Sequence, residues 1–458
     1  MAALTRTLHK TARLPRTARA AALHALLLVE AGDTAQAALA RTLATPSDTA
    51  LSAQDRHLCS ELVYGSLRHE LRLGFLLRKL LPRPAGLPPE ILVILRFSLH
   101  SLLFLHTPHH AVVHSAVELA RALAGQAMAR LVNAVLRSVQ RLGDAVLQED
   151  FYLLQGQKGL ARLAAYYSLP ACVCTLWQNA YGESAALALM RRSLSRPWTG
   201  VRLNSSASAA AWQGHDLTDL RQEFIRLAGP EDCVPVGRSG LAVAPGRMPQ
   251  VLLGRDVASW QQTGLLSMQS AASQLVLEAL GCLDWTGPVW DACAGYGGKS
   301  HCLLESGRNV ALATDVSRER LAQLPRQCHR LAVPSPLLAL SDASRPCVRH
   351  WHGHILADVP CSGLGVLARR PDLRKRLDRK NIAANLASQR AILDGLADLL
   401  KPGRELAYIT CTLNPAENED RVQAFLARHK GFSLVRQWQT PHEHPWLEGM
   451  YGAVLRKD

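Results

Sequence analysis

No run of apolar residues in this sequence reaches the roughly 18 that a membrane-spanning helix needs, so an ordinary helical membrane protein is excluded. Paired cysteines are missing too. The eleven cysteines are odd in number, none stands in a Cys-x-x-Cys pair, and no spacing reads as a disulfide framework. Cys172 and Cys174 are one residue apart, a poor zinc geometry. Mostly free thiols in a reducing compartment are therefore expected. No secretory signal opens the chain. The first 22 residues lack acids and carry Arg6, Lys10, Arg13, Arg16 and Arg19, as an organellar transit peptide would. Arg19 to Glu30, with Leu23, Leu26 and Leu27 on one face, reads instead as the first helix of a domain. The expected location is cytoplasmic, with no membrane partner.

What is present is a surplus of positive charge. Fifty-two Lys and Arg against 37 Asp and Glu give a formal net charge of +15. Such a surplus suits a polyanionic partner, but Arg-rich composition is common in soluble proteins and does not decide the matter alone. Hydrophobic residues make up 48% of the 458, enough for ordinary buried cores. Length alone suggests two to four domains.

The pattern divides the chain into three. Residues 1–142 read as an all-helical domain, with apolar residues recurring at three and four, as in Leu58, Leu62 and Leu67, Leu71. Glu90 to Leu105 is almost uniformly apolar and is expected as the central buried helix. Ala111 to Leu123 reads as another helix, and a last one carries Arg130, Asn133, Arg137 and Arg141 as a basic face. His110 and His114 have the i, i+4 spacing of a metal pair, but no third ligand accompanies them and no metal is expected. Residues 143–250 read as a linking region. Trp177 to Leu187 is expected helical, Gly200 to Asn204 strand-like, and the Gly, Pro and Ser between Ser205 and Gly246 suggest loops. In residues 251–458, short apolar runs at Val289-Trp290, Val310 to Thr314, Leu337 to Leu340, His354 to Ala357 and Leu406 to Ile409 alternate with helical stretches. That alternation implies a parallel sheet covered by helices, whose ligands sit at the carboxyl ends of the strands.

Those strand ends carry the chemistry. The first ends in Asp291, followed by Cys293, Ala294, Gly295, Tyr296, Gly297, Gly298 and Lys299. The glycines allow a sharp turn, and the following helix offers free amides to a ligand. The run is neither a phosphate-binding P-loop, since Ala294 replaces its first Gly, nor the strict Gly-x-Gly-x-x-Gly pattern. The second strand ends in Asp315, 24 residues after Asp291, where an acid accepts from ribose hydroxyls. Asp342 follows the third strand, placed for an adenine amino group. The fourth ends in Asp358-Val-Pro-Cys361, and the fifth runs into Cys411. A strand-end Asp is most often a helix N-cap; four in succession point to an adenosine site. Adjacent strands lie about 4.8 Å apart, so the two thiols can face one pocket.

The runs DACAGYGGKS, ADVPCSGLGVLARRPDL and YITCTLNPAENEDRV resemble motifs of the RNA cytosine-5 methyltransferases. The stretches FSLHSLLFLHTPHHAVVHSAVELAR and LVNAVLRSVQR are similar to the NusB type of RNA-binding domain. The resemblance spans nearly the whole chain and is weakest between 143 and 250. It implies a NusB-like helical domain joined to a Rossmann-like α/β methyltransferase domain that uses S-adenosyl-L-methionine. It further implies a monomer acting on a cytosine of 16S ribosomal RNA, with Cys411 as nucleophile, Cys361 assisting product release and Asp358 at the base. Cys293 to Lys299, with Asp315, Asp342 and Asp358, would hold the cofactor. Arg369, Arg370, Arg130 and Arg137 are candidate RNA contacts. The same chemistry on transfer RNA or another ribosomal site, and a non-catalytic RNA-binding assembly factor, are the alternatives. Three departures stand out: Gly295-Tyr296 replaces the family's Ala-Pro, Gln269-Ser270 its Gln-Asp, and Gly403-Arg404 its Gly-Gly.

Overall fold

The computed structural model describes residues 2–12, 14–44, 51–208 and 210–458. The chain forms two compact units: Met1–Leu194 with Leu367–Leu377, and Ser195–Val366 with Asp378–Asp458. The divisions read from the sequence, at 142 and at 250, fall inside these units.

The first unit is helical: α1 (Ala2–Thr11), α2 (Ala18–Glu30), α3 (Ala35–Leu43), α4 (Ala53–Arg68), α5 (Glu70–Leu80), α6 (Pro89–Phe104), α7 (His109–Leu142) and α8 (Ala171–Leu194). The apolar run makes α6 the central element, with Ile91, Ile94, Leu95, Phe97 and Leu99 buried in one core with residues of α2, α4, α5 and α7. The two helices expected between 111 and 141 are present as the two parts of α7, divided at Gly125, whose φ of 81° leaves the helical region. Thr17 and Thr34 cap α2 and α3 by accepting from Ala20 and Ala37.

Residues 143–170 join this bundle instead of linking two domains. The Arg72 guanidinium lies over the rings of Tyr166 and Tyr152, 4.2 and 4.6 Å from their centroids, and donates to Leu147 O at 3.0 Å. The segment Leu367–Leu377 is held in the unit by Arg374. Its guanidinium, only 5% exposed, donates to Ser193 O, Leu367 O and Ser168 O at 2.6, 2.8 and 3.1 Å. Burial lowers its pKa to about 9, which leaves it cationic at neutral pH. Lys375 beside it pairs with Glu30 and Glu70, which also bind Arg96.

The second unit contains two main sheets. The smaller has β1 (Thr199–Leu203), β2 (Cys233–Val236), β3 (Gly240–Val243) and β6 (Leu266–Met268) in the order β2-β3-β1-β6, all antiparallel. Helix α9 (Leu217–Ala228), the ribbon β4 (Val251–Leu252) and β5 (Arg255–Asp256), and helix α10 (Val257–Gln262) complete it. The loop-rich reading of 205–246 is thus corrected. Asp216 caps α9 in a capping box with Asp219, and Leu220 and Phe224 enter a core with Trp212, Leu241 and Trp260. Glycine-rich turns separate real elements here.

After α11 (Ala271–Ala279) comes the larger sheet, with β7 (Pro288–Asp291), α12 (Gly298–Glu305), β8 (Asn309–Asp315), α13 (Arg318–Leu321), α14 (Leu324–Leu331), β9 (Leu337–Leu340), β10 (His354–Asp358), α15 (Arg379–Ala397), β11 (Glu405–Thr410), α16 (Glu419–Arg428), β12 (Phe432–Gln439) and β13 (Tyr451–Lys457). Its order is β12-β13-β11-β10-β7-β8-β9. The five expected strands are parallel, but β13 runs antiparallel to β11 and β12, so the sheet is mixed. Successive residues go to opposite faces. Leu356, Ala407 and Ile409 join the core under α11 and α12, while Ile355, Leu406 and Tyr408 join the core under α15 and α16. Strand order reverses between β7 and β10, which marks the ligand crevice. Among the described residues no helix is long and apolar enough to cross a membrane.

Arg374→Ala would leave three buried carbonyls without their donor. The expected loss is about 3 kcal/mol in the helical unit, read as a lower urea midpoint by circular dichroism.

Candidate active site

The loop after β7 is drawn tight by its own backbone. Ala292 N donates to Leu356 O at 2.8 Å, Ala294 N to Thr314 O at 2.9 Å, and Gly297 N to Ala294 O at 2.8 Å. Gly297 has φ 81° and serves as N-cap of α12. A β-carbon there would sit 2.7 Å from His301 Cε1 and 2.8 Å from Leu324 Cγ, so the position excludes side chains. Gly295, at φ 56°, donates its N–H to Asp315 Oδ2 at 2.8 Å. Asp315 Oδ1 accepts from Ser317 N and pairs with Arg320 at 2.9 Å. Beside it the side chains of Tyr296 and Val316 are 56% and 63% exposed, apolar surface of the kind that covers a flat ring.

The four strand-end acids differ in state. Asp291 is 1% exposed and accepts from Ser300 Oγ at 2.6 Å; burial pushes its pKa up to about 7. Asp342 is closed onto Ser344, accepting from its N–H and its hydroxyl at 2.8 Å, and those bonds lower its pKa. Asp358 pairs with the buried ammonium of Lys299. Burial opposes the Lys299 charge, but Asp358, Cys411 and Asp291 outweigh it and hold its pKa up. All four acids act on Cys293: burial first, then Asp291, Asp358, Asp315 and Asp342, push its thiol well above the ordinary range. Cys293 is therefore unsuited to act as a nucleophile.

Cys361 and Cys411 meet. Their sulfurs are 3.3 Å apart, and Cys411 N–H points at Cys361 Sγ at 3.3 Å. Both are partly exposed. The hydrogen bond with Cys411, burial, and the charges of Cys411 and Glu417 drive the Cys361 pKa well up, so Cys361 keeps its proton. Cys411 lies within the field of the Lys299 ammonium. Six of the other nine cysteines are buried; Cys172 and Cys347 are exposed.

Gln269 and Ser270 find local explanations. Gln269 Nε2 donates to Gly298 O at 3.0 Å, and Arg202, paired with Glu305 at 2.7 Å in a buried bridge, reaches the same carbonyl. Ser270 caps α11 by accepting from Ser273 N. Of the predicted RNA contacts, Arg130 and Arg137 are exposed on α7, while Arg369 and Arg370 lie half-buried in the segment that belongs to the first unit. The thiols, Asp358, Lys299 and the loop come together; the four arginines belong to the first unit. What the sequence reading missed are the polar side chains behind the thiols: Ser362, Gln389, Asn414, Glu417 and Asn418. Ser362, Asn414, Glu417 and Asn418 follow directly on apolar strands, which is a readable signal; Gln389, within α15, gives none.

The family described as 16S rRNA methyltransferase RsmB/F matches residues 284–449, and the NusB family matches residues 16–141. The probable ribosomal RNA small subunit methyltransferase B of Bacillus subtilis (strain 168) is 31% identical, covering 90% of this chain and 88% of its own. That of Synechocystis sp. is 31% identical, covering 85% of each. The ribosomal RNA small subunit methyltransferase B of Vibrio vulnificus is 30% identical over 96% of this chain and 99% of its own. The crystal structure of PH0851 superposes with a TM-score of 0.73 at 21% identity, covering 97% and 99%. A methyltransferase homolog protein from Pyrococcus horikoshii superposes at 0.50 and 20% identity, covering 64% and 97%.

The buried Asp291 makes stability depend on pH. Its folded pKa of about 7 lies above the unfolded value, so the fold binds the extra proton and stability falls as pH rises from about 4 to about 7. Asp291→Asn should melt above the parent at pH 8, by an amount that closes as pH is lowered to about 4; differential scanning calorimetry across pH checks this.

Proposed function

The chain belongs to the family of 16S rRNA methyltransferases B, and from that premise we propose that it methylates carbon 5 of a cytosine through a covalent bond to Cys411. The observation that carries this reading is the pair of thiols 3.3 Å apart in unequal fields, Cys411 beside Lys299 and Cys361 beside Glu417.

The residues present fit S-adenosylmethionine. Asp315 suits the ribose hydroxyls, exposed Tyr296 and Val316 flank it as faces for adenine, and the Gly295–Gly298 turn leaves room for close approach. A cluster of acids also suits a cationic sulfonium. When bound, the cofactor supplies an electrophilic methyl group.

The chain's own residues act on the pyrimidine. Carbon 5 of cytosine is a poor nucleophile. Addition of the Cys411 thiolate at carbon 6 converts the ring to an enamine and raises electron density at carbon 5. The Lys299 ammonium favours the thiolate form. Asp358, one-third exposed, faces the cytosine edge in this reading. After methylation a base from solvent takes the carbon 5 proton, the electrons of that C–H bond reform the C5–C6 double bond, and the C6–S bond breaks with its electrons leaving on the Cys411 thiolate. Cys361, which holds its proton beside Cys411, assists release. The base must be unstacked to reach the thiols, at a cost of a few kcal/mol unless it lies in a loop.

RNA is held by phosphate contacts. The exposed Arg130 and Arg137 of α7 suit this role. Arg369 and Arg370 are half-buried, and Arg370 is drawn to within 3.7 Å of Asp372, so they serve it less well.

Labelled methyl transfer to unmodified 16S rRNA, with bisulfite sequencing of the product, tests the site of methylation. Product on transfer RNA alone, or no transfer at all, would reject the reading. Cys411→Ala should lose at least about 10³-fold in turnover while still binding S-adenosylmethionine. Cys361→Ala should instead accumulate a protein–RNA adduct, a slow band on a denaturing gel. An adduct with the Cys411 variant would exchange the roles. Replacing Arg130 and Arg137 by Ala should flatten the salt dependence of RNA affinity by roughly 1 log unit per log unit of salt for each arginine.

A further inference from the structure

The reaction uses two thiols, but a carboxylate behind them has no part in it. Glu417, in the turn between β11 and α16, has no exposed surface. Its Oε1 accepts from Ser362 N at 2.9 Å and Gln389 Nε2 at 3.0 Å. Its Oε2 accepts from Asn414 Nδ2 at 2.9 Å and from the Ser362 hydroxyl. Four donors fill the carboxylate's acceptor sites, and all four are neutral. Among the described residues no ion pair includes Glu417. An anion buried without a cation is costly to keep, so its placement needs a reason.

The donors supply one. Ser362 follows Cys361 in the chain; Asn414 and Glu417 itself lie just beyond Cys411. Gln389 also donates to Pro360 O at 2.9 Å, on the other side of Cys361. The Ser362 hydroxyl lies 2.8 Å from that of Thr412. Asn418 completes the frame, joining the Thr410 hydroxyl at 2.6 Å and Thr412 O at 3.0 Å on either side of Cys411. The two loops are also tied through Gly365 N–H to Cys411 O at 3.2 Å and Cys411 N–H to Cys361 Sγ at 3.3 Å; the ties between polar side chains behind the thiols run through Glu417 or its immediate partners.

We propose that Glu417 is a positioning residue for product release: its carboxylate clamps the Cys361 loop to the Cys411 loop and holds the two sulfurs within reach. The proposal rests on the assignment of Cys361 to release. Glu417 also adds to the influences that keep the proton on Cys361, after the bond to Cys411, burial, and the charge of Cys411. Methyl transfer itself does not use Cys361 and should tolerate loss of the clamp.

The experiment compares Glu417→Ala, Ser362→Ala and Cys361→Ala, each as the full chain with a 16S rRNA transcript. Single-turnover methylation, multiple turnover and adduct on a denaturing gel are read together. For Glu417→Ala, methylation in the first turnover should stay within about 3-fold, turnover should fall at least about 10-fold, and adduct should accumulate. Ser362→Ala removes one donor and keeps the fold; it should show the same split, smaller, and so stands in if Glu417→Ala does not fold. In the Cys361→Ala background, Glu417→Ala should add no further adduct, because both act on one step. An equal fall in first-turnover and multiple-turnover rates, or no adduct where Cys361→Ala gives one, would overturn the proposal. Absence of adduct in Cys361→Ala itself would overturn the assignment of the thiols instead.

Discussion

The parallel pairing of β10 with β11 is the constraint on which the site depends. Asp358 stands opposite Ile409, and Val359 N–H continues the ladder to Ile409 O at 3.0 Å. From that rung Cys361 is three residues on along one strand and Cys411 two along the other, so both leave the sheet at the same level. The register is locked from both faces. Leu356 and Ile409 pack into one core, Ile355 and Tyr408 into the other. A slip of one residue would exchange every one of these faces and part the sulfurs. The apolar strands therefore do catalytic service without touching a reactant.

Around this pair the charges are graded. Lys299 is anchored by Asp358 and acts on Cys411; the acids of the loop act on Cys293; Glu417 acts on Cys361. Cys293 and Cys361 are both held in the protonated form by their neighbours, while Cys411 faces the Lys299 ammonium. The chemical distinction between nucleophile and proton holder need not come from the cysteines themselves, since the same side chain serves both.

Much of this was legible in the sequence. The five parallel strands stand out as apolar runs between helical stretches, and their bounds lie within a residue or so of the runs. The acids at their ends follow from position. The hidden parts had physical causes. The stripe Leu217, Leu220, Phe224 was masked by the Gly, Pro and Ser around it, although Asp216 and Asp219 spell a capping box. Strand β12 reads Phe-Ser-Leu-Val-Arg-Gln-Trp-Gln, too polar on its outer face to resemble its neighbours. The inclusion of Leu367–Leu377 in the helical unit rests on Arg374 finding two carbonyls distant in sequence, those of Ser168 and Ser193, which no local pattern encodes. The departures at Ser270 and Gly295 look serious in one dimension and are mild in three. Ser caps a helix as well as Asp does, and Gly295 takes a left-handed turn that suits glycine.

The distribution of charge separates two tasks. The chain carries +15, yet the four strand-end acids crowd Cys293, with Lys299 paired to Asp358 and Arg320 to Asp315. A pocket of that sign attracts a cationic methyl donor and repels a phosphate backbone. The exposed arginines of α7, in the other unit, have the opposite preference. A substrate that is an uncharged base on a charged strand fits both at once: the strand stays on basic surface while the base alone enters the acidic pocket.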